Sequence, residues 1–144
     1  LFDAEPTEVE AAVEMDPTMG VDVLSSGLLR FPTGHATFTC STRGEPDQRV
    51  TVLGSEGRVE IEIPFNIPPD RPTRVWHTAG GDPPTDPSTE ILTFPAADPY
   101  TAQAEAFVGA VLSGGPAPLD PQDAVANLSV MDEIRARGGA AAGS

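Results

Sequence analysis

The run Gly54-Ser55-Glu56-Gly57-Arg58-Val59-Glu60-Ile61-Glu62-Ile63-Pro64-Phe65-Asn66 decides how the chain folds. From Arg58 to Ile63 it alternates without a slip: Val59, Ile61 and Ile63 leave on one side, Arg58, Glu60 and Glu62 on the other. A period of two is what a half-buried strand requires, and Pro64, with no N–H to give a ladder, stops it. Gly54 and Gly57 flank Ser55 and Glu56, so the strand is entered through a tight turn whose positive-φ positions glycine fills at least cost.

Upstream of this unit the pattern is all strand. Glu8 to Met15 alternates, with Val9, Ala11 and Val13 on one side. Asp16-Pro17-Thr18-Met19-Gly20 is a turn, Val21 to Phe31 a second strand, and Pro32-Thr33-Gly34 a hairpin turn. In the third strand, His35 to Arg43, Ala36, Phe38 and Cys40 share a face against His35, Thr37, Thr39 and Ser41. That second face is polar, β-branched and nearly uncharged, whereas a face meant only for water carries charges; it reads as a covered surface. Gly44-Glu45-Pro46-Asp47 turns the chain into a strand from Gln48 to Leu53.

Downstream, a Pro-rich stretch holds one short strand, Thr73 to Thr78, then an irregular loop from Ala79 to Pro84, then a strand from Thr89 to Phe94. There the period changes. Asp98-Pro99 and Asp120-Pro121 are paired helix starts, an N-cap followed by a proline where its missing N–H costs nothing. Tyr100, Ala104, Phe107, Val108 and Val111 make one helical stripe, ending at Ser113-Gly114-Gly115-Pro116. Ala124, Leu128, Met131 and Ile134 make the second, with Gly138 as terminator and residues 139–144 as a flexible tail. The expected fold is α+β: an open-faced, largely antiparallel mixed sheet with two C-terminal helices packed on one face.

Composition narrows function by exclusion. The 22 acidic residues outnumber 8 basic ones for a net charge of −14, a field that repels phosphate backbones and argues against nucleic acid as partner. All the basic residues are arginine, so a Schiff-base, P-loop or acid–base lysine is ruled out within this sequence. The single Cys40 allows no internal disulfide, which fits a reducing, cytoplasmic setting. No apolar run reaches the roughly 20 residues of a membrane span. Leu1 is not an initiator methionine, and the chain reads as a piece of something longer.

The turn–strand–proline unit from Gly54 to Phe65 resembles the second domain of the Gfo/Idh/MocA oxidoreductases. So do Pro99-Tyr100 with Gln103, Glu105, Ala106 and Phe107 behind them, and the helix from Asp120 to Arg137 with Asp123-Ala124 and the Val130 to Ile134 run. The likeness runs from Glu8 to Gly138 and rests on order and spacing. It implies the open sheet of a glyceraldehyde-3-phosphate dehydrogenase-like C-terminal domain. It further implies a parent enzyme with an N-terminal Rossmann domain, binding NAD or NADP, that moves a hydride to or from sugars, inositols or related polyols and diols. The family's catalytic Lys, Asp and His find no counterpart here: there is no Lys, no Gly-x-Gly-x-x-Gly and no Asp closely followed by His. What the resemblance implies for residues 1–138 is a substrate-covering and oligomerisation domain that binds no cofactor and does not turn over alone. Its implied partners are the Rossmann domain, a second copy through the sheet face, and a small-molecule substrate, with neither nucleic acid nor membrane.

Each candidate site residue has a plainer reading beside it. Phe65 and Asn66, leaving the central strand at its C-terminal end, would face substrate; the alternative is a core Phe and a turn Asn. Trp76 and His77 could line a sugar site, since aromatic faces pack on the C–H face of a sugar ring; Trp76 could equally pack under the loop. His35 reads as a solvated turn residue, Tyr100 as packing, and Glu60 and Glu62 as solvated neighbours rather than an acid–base pair. Two histidines about forty residues apart give no metal signal. Thr37, Thr39 and Ser41 mark the expected dimer face. Besides half an enzyme, two other functions fit: a stand-alone carbohydrate-binding module using Trp76 and His77, and a plain assembly domain that dimerises through its sheet.

Overall fold

The computed structural model describes residues 1–80 and 89–139. Its elements are β1 (Glu8–Met15), β2 (Asp22–Phe31), β3 (Gly34–Ser41), β4 (Val50–Gly54), β5 (Gly57–Ile61), β6 (Thr73–Ala79), β7 (Thr89–Phe94), α1 (Pro99–Ser113) and α2 (Pro121–Gly139). The class is α+β. Every strand pair is antiparallel, and the strands form two ladders in sequence order, β1-β2-β3 and β4-β5-β6-β7, where the sequence pattern had suggested one mixed sheet. The chain divides into two compact units: Leu1–Glu45 with Leu119–Ser144, and Pro46–Pro118. The two helices therefore belong to different units.

In the first unit the hairpin register puts Val9, Ala11 and Val13 on the same face as Leu29, Gly27 and Ser25, and Ala36, Phe38 and Cys40 behind them. Val9 is almost wholly buried and Val23 nearly so. Helix α2 lies against β1. Its half-buried or buried side is Ala126, Val130, Ile134 and Gly138, a row spaced by four. The expected stripe of Ala124, Leu128 and Met131 is exposed instead. Small residues decide the turn of the helix: a Cβ on Gly138 would sit 2.9 Å from both the Cβ and the backbone nitrogen of Val13. Gly138 is thus a point of close approach inside α2, not its terminator. Gly139 is helical too, and the rest of the expected tail lies outside the described residues.

Two polar contacts brace this unit. The Asp16 carboxylate accepts from the amides of Thr18 (2.7 Å) and Met19 (2.8 Å) and pairs with Arg43, tying the β1–β2 turn to the chain beyond β3. Arg135 of α2 reaches Asp22 at the start of β2, at 3.5 Å.

In the second unit, cross-strand pairing sorts side chains onto two faces. Val50, Val52, Val59, Ile61, Val75, Leu92 and Phe94 share one with His77; Thr51, Glu60, Arg74, Trp76 and Thr93 share the other. Gly57 is required at the turn because a Cβ there would meet the Thr78 carbonyl oxygen and lie 3.1 Å from the Gly80 nitrogen. The regular ladder of β5 stops at Ile61, earlier than the alternation suggests. Glu62 still donates its N–H to the Arg74 carbonyl (3.1 Å), but the Arg74 N–H goes to the Glu62 side chain rather than a backbone carbonyl. Helix α1 starts as read: Asp98 caps it, accepting from the Tyr100 amide at 2.9 Å, and Gly114 ends it in the left-handed conformation (φ 65°). None of its residues is buried. Of the irregular loop read after β6, residues 81–84 lie outside the described residues.

Candidate functional site

The chain from Glu62 to Asp70 leaves β5 and crosses to the edge where α1 begins. Its first residue is its anchor. The Glu62 carboxylate takes the Arg74 backbone N–H (3.1 Å), Nε (3.2 Å) and Nη2 (2.6 Å). The Arg74 hydrogen bonds hold the Glu62 carboxyl below its ordinary range despite some desolvation, and push the Arg74 guanidinium up. Arg74 Cζ in turn lies 5.3 Å from the centroid of the Trp76 ring, a cation–π stack. Glu60 pairs with Arg49 at 2.6 Å. Both acids are thus neutralised by arginines and only about one-fifth exposed, at 19% and 20%. The expectation of freely solvated neighbours is corrected on that point; an acid–base role fits neither, since each carboxylate is committed to a guanidinium.

Past that anchor two hollows adjoin. One, of ≈ 360 Å³, is apolar, walled by Ile61, Ile63, Val75 and Phe94 with Pro64 and Ile67. The other, of ≈ 350 Å³, shares Pro64, Ile67 and Pro99 with it and adds Asn66, Tyr100 and Gln103. Its polar groups are a primary amide, a phenol and a second amide, all neutral, each able to donate, and between them able to accept. Asn66 holds a left-handed backbone (φ 46°), which Asn tolerates better than other side-chain-bearing residues. An apolar floor beside neutral donors and acceptors suits a polyhydroxylated molecule with C–H faces and offers nothing to a strong acid or base.

The sequence candidates do not all meet here. Asn66 lines the polar hollow. Phe65, beside it, is 65% exposed and walls neither hollow. Trp76 and His77 are consecutive in β6 and leave on opposite faces, the ordinary consequence of strand alternation, so they do not form one aromatic–imidazole wall. His77 instead faces the β4–β5 turn, its Nδ1 3.9 Å from Glu90. Tyr100 is not packed as expected but 70% exposed at the hollow. Gln103 joins it because residues three apart share a helix face. That signal was present in the sequence, in the Asp98-Pro99 start, but which loop the face would meet was not.

In the first unit, Thr37 and Thr39 stand on the face opposite Val9 and Val13, exposed, beside Ser26 and Leu28. The Thr39 and Ser26 hydroxyls are 2.9 Å apart. Ser41 differs: its hydroxyl donates to the Val23 carbonyl (3.0 Å) and accepts from the amides of Arg43 and Gly44 (3.1 Å each), so it closes the strand. His35 is not simply solvated; its Nε2 is 3.3 Å from Arg30, which also pairs with Glu8 (3.0 Å) and Glu10 (3.4 Å). Among the described residues no three His, Cys, Asp or Glu side chains gather as a metal site.

The GFO/IDH/MocA C-terminal domain profile matches residues 1–60. The chain is 32% identical over 136 residues to the oxidoreductase ORF334 of Rhizobium meliloti, and 29% identical over 135 residues to D-xylose 1-dehydrogenase (NADP(+)) 2 of Haloferax volcanii. Those matches take in 94% and 93% of this chain but 40% of each relative. The fold matches aldose-aldose oxidoreductase from Caulobacter crescentus complexed with glycerol at a TM-score of 0.73, with 22% identity, over 95% of this chain and 40% of that one. It also matches KijD10, a 3-ketoreductase from Actinomadura kijaniata in complex with NADP, at 0.72, with 24% identity, over 89% of this chain and 40% of that one. Residues 1–60 thus match the C-terminal domain of the GFO/IDH/MocA family, and the curated relatives that align with nearly the whole chain are an oxidoreductase and a dehydrogenase. The chain spans about 40% of the length of the relatives it matches.

No helix among the described residues is long and apolar enough to cross a membrane.

Proposed function

We propose that this chain is the substrate-covering and oligomerising domain of an NAD(P)-dependent oxidoreductase acting on a sugar, inositol or related polyol. The observation that carries the reading is the paired hollow: an apolar floor with Asn66, Tyr100 and Gln103 at its mouth, neutral groups suited to hydroxyls. The activity of one relative, a D-xylose dehydrogenase using NADP(+), supports the same chemistry. On this reading the nucleotide site and the hydride-transfer residues lie on the rest of a longer polypeptide, since the chain carries no lysine. The 144 residues alone neither bind the nucleotide nor turn over. The test is a turnover assay of the polypeptide extended to its relatives' length, with NAD and NADP against D-xylose, myo-inositol and glycerol. Nucleotide reduction with at least one polyol is expected. Absence of nucleotide binding sinks the reading, as does a nicotinamide-dependent thermal shift of the 144-residue chain by itself.

Oligomerisation is assigned to the β1–β3 face that carries Thr37 and Thr39, because it is polar, uncharged at its centre and exposed. Thr39→Asp would bury an unpaired charge there. Dimer dissociation in that variant, read by light scattering, is the expected result; an unchanged dimer rejects the face.

A further inference from the structure

The approach to β4 and the chain beyond β5 enclose a third hollow, of ≈ 480 Å³, which takes no residue from α1. Asp47, Gln48, Arg49, Glu62, Asn66 and Arg71 supply its polar wall. Two of these groups lack the partner that their chemistry demands. The Gln48 side-chain oxygen is buried and accepts no hydrogen bond among the described residues, a costly state for an acceptor. Arg71 pairs with no acid among the described residues, although the chain has 22 acids and six of its eight arginines do pair. Its two basic neighbours are committed, Arg49 to Glu60 and Arg74 to Glu62. Arg74 foremost, and Arg71 last, hold the Glu62 carboxyl below its ordinary range, which sets the Arg71 charge near that wall.

Together these demands describe one kind of ligand. A guanidinium without a counter-ion takes a planar carboxylate on two N–H groups. A buried carbonyl oxygen takes a donor, and a hydroxyl suits it better than an ammonium, whose charge one neutral acceptor solvates poorly. Asp47 adds a further acceptor, and Asn66 both donates and accepts. One uncommitted cation beside the Asp47 carboxylate, in a chain of net charge −14, favours one negative charge over the two of a phosphate ester. We propose that this hollow binds a small polyhydroxy carboxylate, a sugar acid, with its carboxylate on Arg71 and a hydroxyl donating to Gln48 Oε1. Pro46 and Pro68 fix φ on the two segments that frame the hollow, so closing on a ligand orders little extra backbone. The site needs no nucleotide and stands whether or not the oxidoreductase reading does.

Titration of the 144-residue chain with D-xylonate, followed by nuclear magnetic resonance at the Gln48 side-chain amide and the Arg71 Nε–H, tests it. Saturable shifts at both groups are expected. Acetate has the charge without the hydroxyls and D-xylose the hydroxyls without the charge. Each should bind there at least about tenfold more weakly, the worth of one charge-assisted hydrogen bond. Arg71→Gln should weaken D-xylonate by a similar factor, whereas Arg58→Gln, which removes an unpaired arginine outside the hollow, should not. Gln48→Leu should weaken binding yet leave the urea midpoint unchanged or higher, because it removes a buried acceptor that no protein donor meets. A lower midpoint in that variant would show the oxygen satisfied within the fold and overturn its role as ligand acceptor. The absence of saturable shifts, or unchanged affinity in Arg71→Gln, overturns the proposal. So does binding of inorganic phosphate or acetate as tight as that of D-xylonate, which would mean an adventitious ion only. L-Serine binding more tightly than D-xylonate overturns it as well, since the ligand would then be an amino acid.

Discussion

At residue 138 an alanine methyl would lie 2.9 Å from Val13 Cβ and from the Val13 amide nitrogen, and the backbone of β1 cannot swing aside as a side-chain tip could. Gly138→Ala should therefore destabilise the first unit by about 1–3 kcal/mol, the ordinary cost of overpacking, as a lower urea midpoint. At Gly139, where a Cβ would meet nothing within 4 Å, alanine should leave the midpoint unchanged or raise it. Equal midpoints for the two variants would show that α2 does not press on β1 at that point. The acid side of stability also belongs to single residues. Asp16 sits below the ordinary carboxylate range, chiefly through the Met19 and Thr18 amides; Glu62 does so through Arg74, and Asp98 through Thr101 and Tyr100. Unfolding frees all three to their ordinary values, so in acid the unfolded chain binds more protons. Stability is then full above pH of about 5, beyond the ordinary values of all three groups, and falls as pH drops through the lowered values. Asp16→Asn keeps an acceptor for the two amides but no longer titrates, and should give a shallower acid limb; an unchanged slope would remove Asp16 from the account.

Among elements, strands were legible in the sequence and helix faces were not. Alternation over Glu8 to Met15 or Arg58 to Ile61 has one solution, because a shift by one residue exchanges the two faces entirely. The helices offer several adjacent rows. In α2 the row of larger residues, Leu128 and Met131, lost to the row of small ones, because Ala126 and Gly138 let the helix come closer to β1. Polar substitution of a backbone partner was equally hidden: nothing in the Glu62-Ile63-Pro64 run says that the Glu62 carboxylate will take the Arg74 amide. Helix starts were legible because capping is local. Asp98 accepts from the Tyr100 amide and the Thr101 hydroxyl, both at 2.9 Å. With no tertiary burial to hold α1, its capping matters more than usual. Asp98→Ala should lower the helical circular dichroism of the 144-residue chain, and an unchanged spectrum would mean that α1 is held by contacts other than its cap.

For the whole molecule, the order of turns, strands and helix starts was enough to reach the family, whereas the site was only partly readable. Asn66 could be named from its position after Pro64, but Tyr100 and Gln103 become its neighbours only when the chain returns from β7, some thirty residues on. Net charge is the one global quantity that needs no fold, and it bears on assembly. Two copies at −14 each repel while their threonine faces attract, so the proposed self-association works against a field that salt screens. Raising sodium chloride from about 0.05 M to about 0.5 M shortens the screening length from more than 10 Å to only a few ångströms. The dimer dissociation constant, followed by sedimentation, should then fall several-fold across that range. The opposite trend would mean that the contact is made by the Arg30 ion pairs at the edge of the face, which salt weakens, and not by the uncharged centre around Thr39.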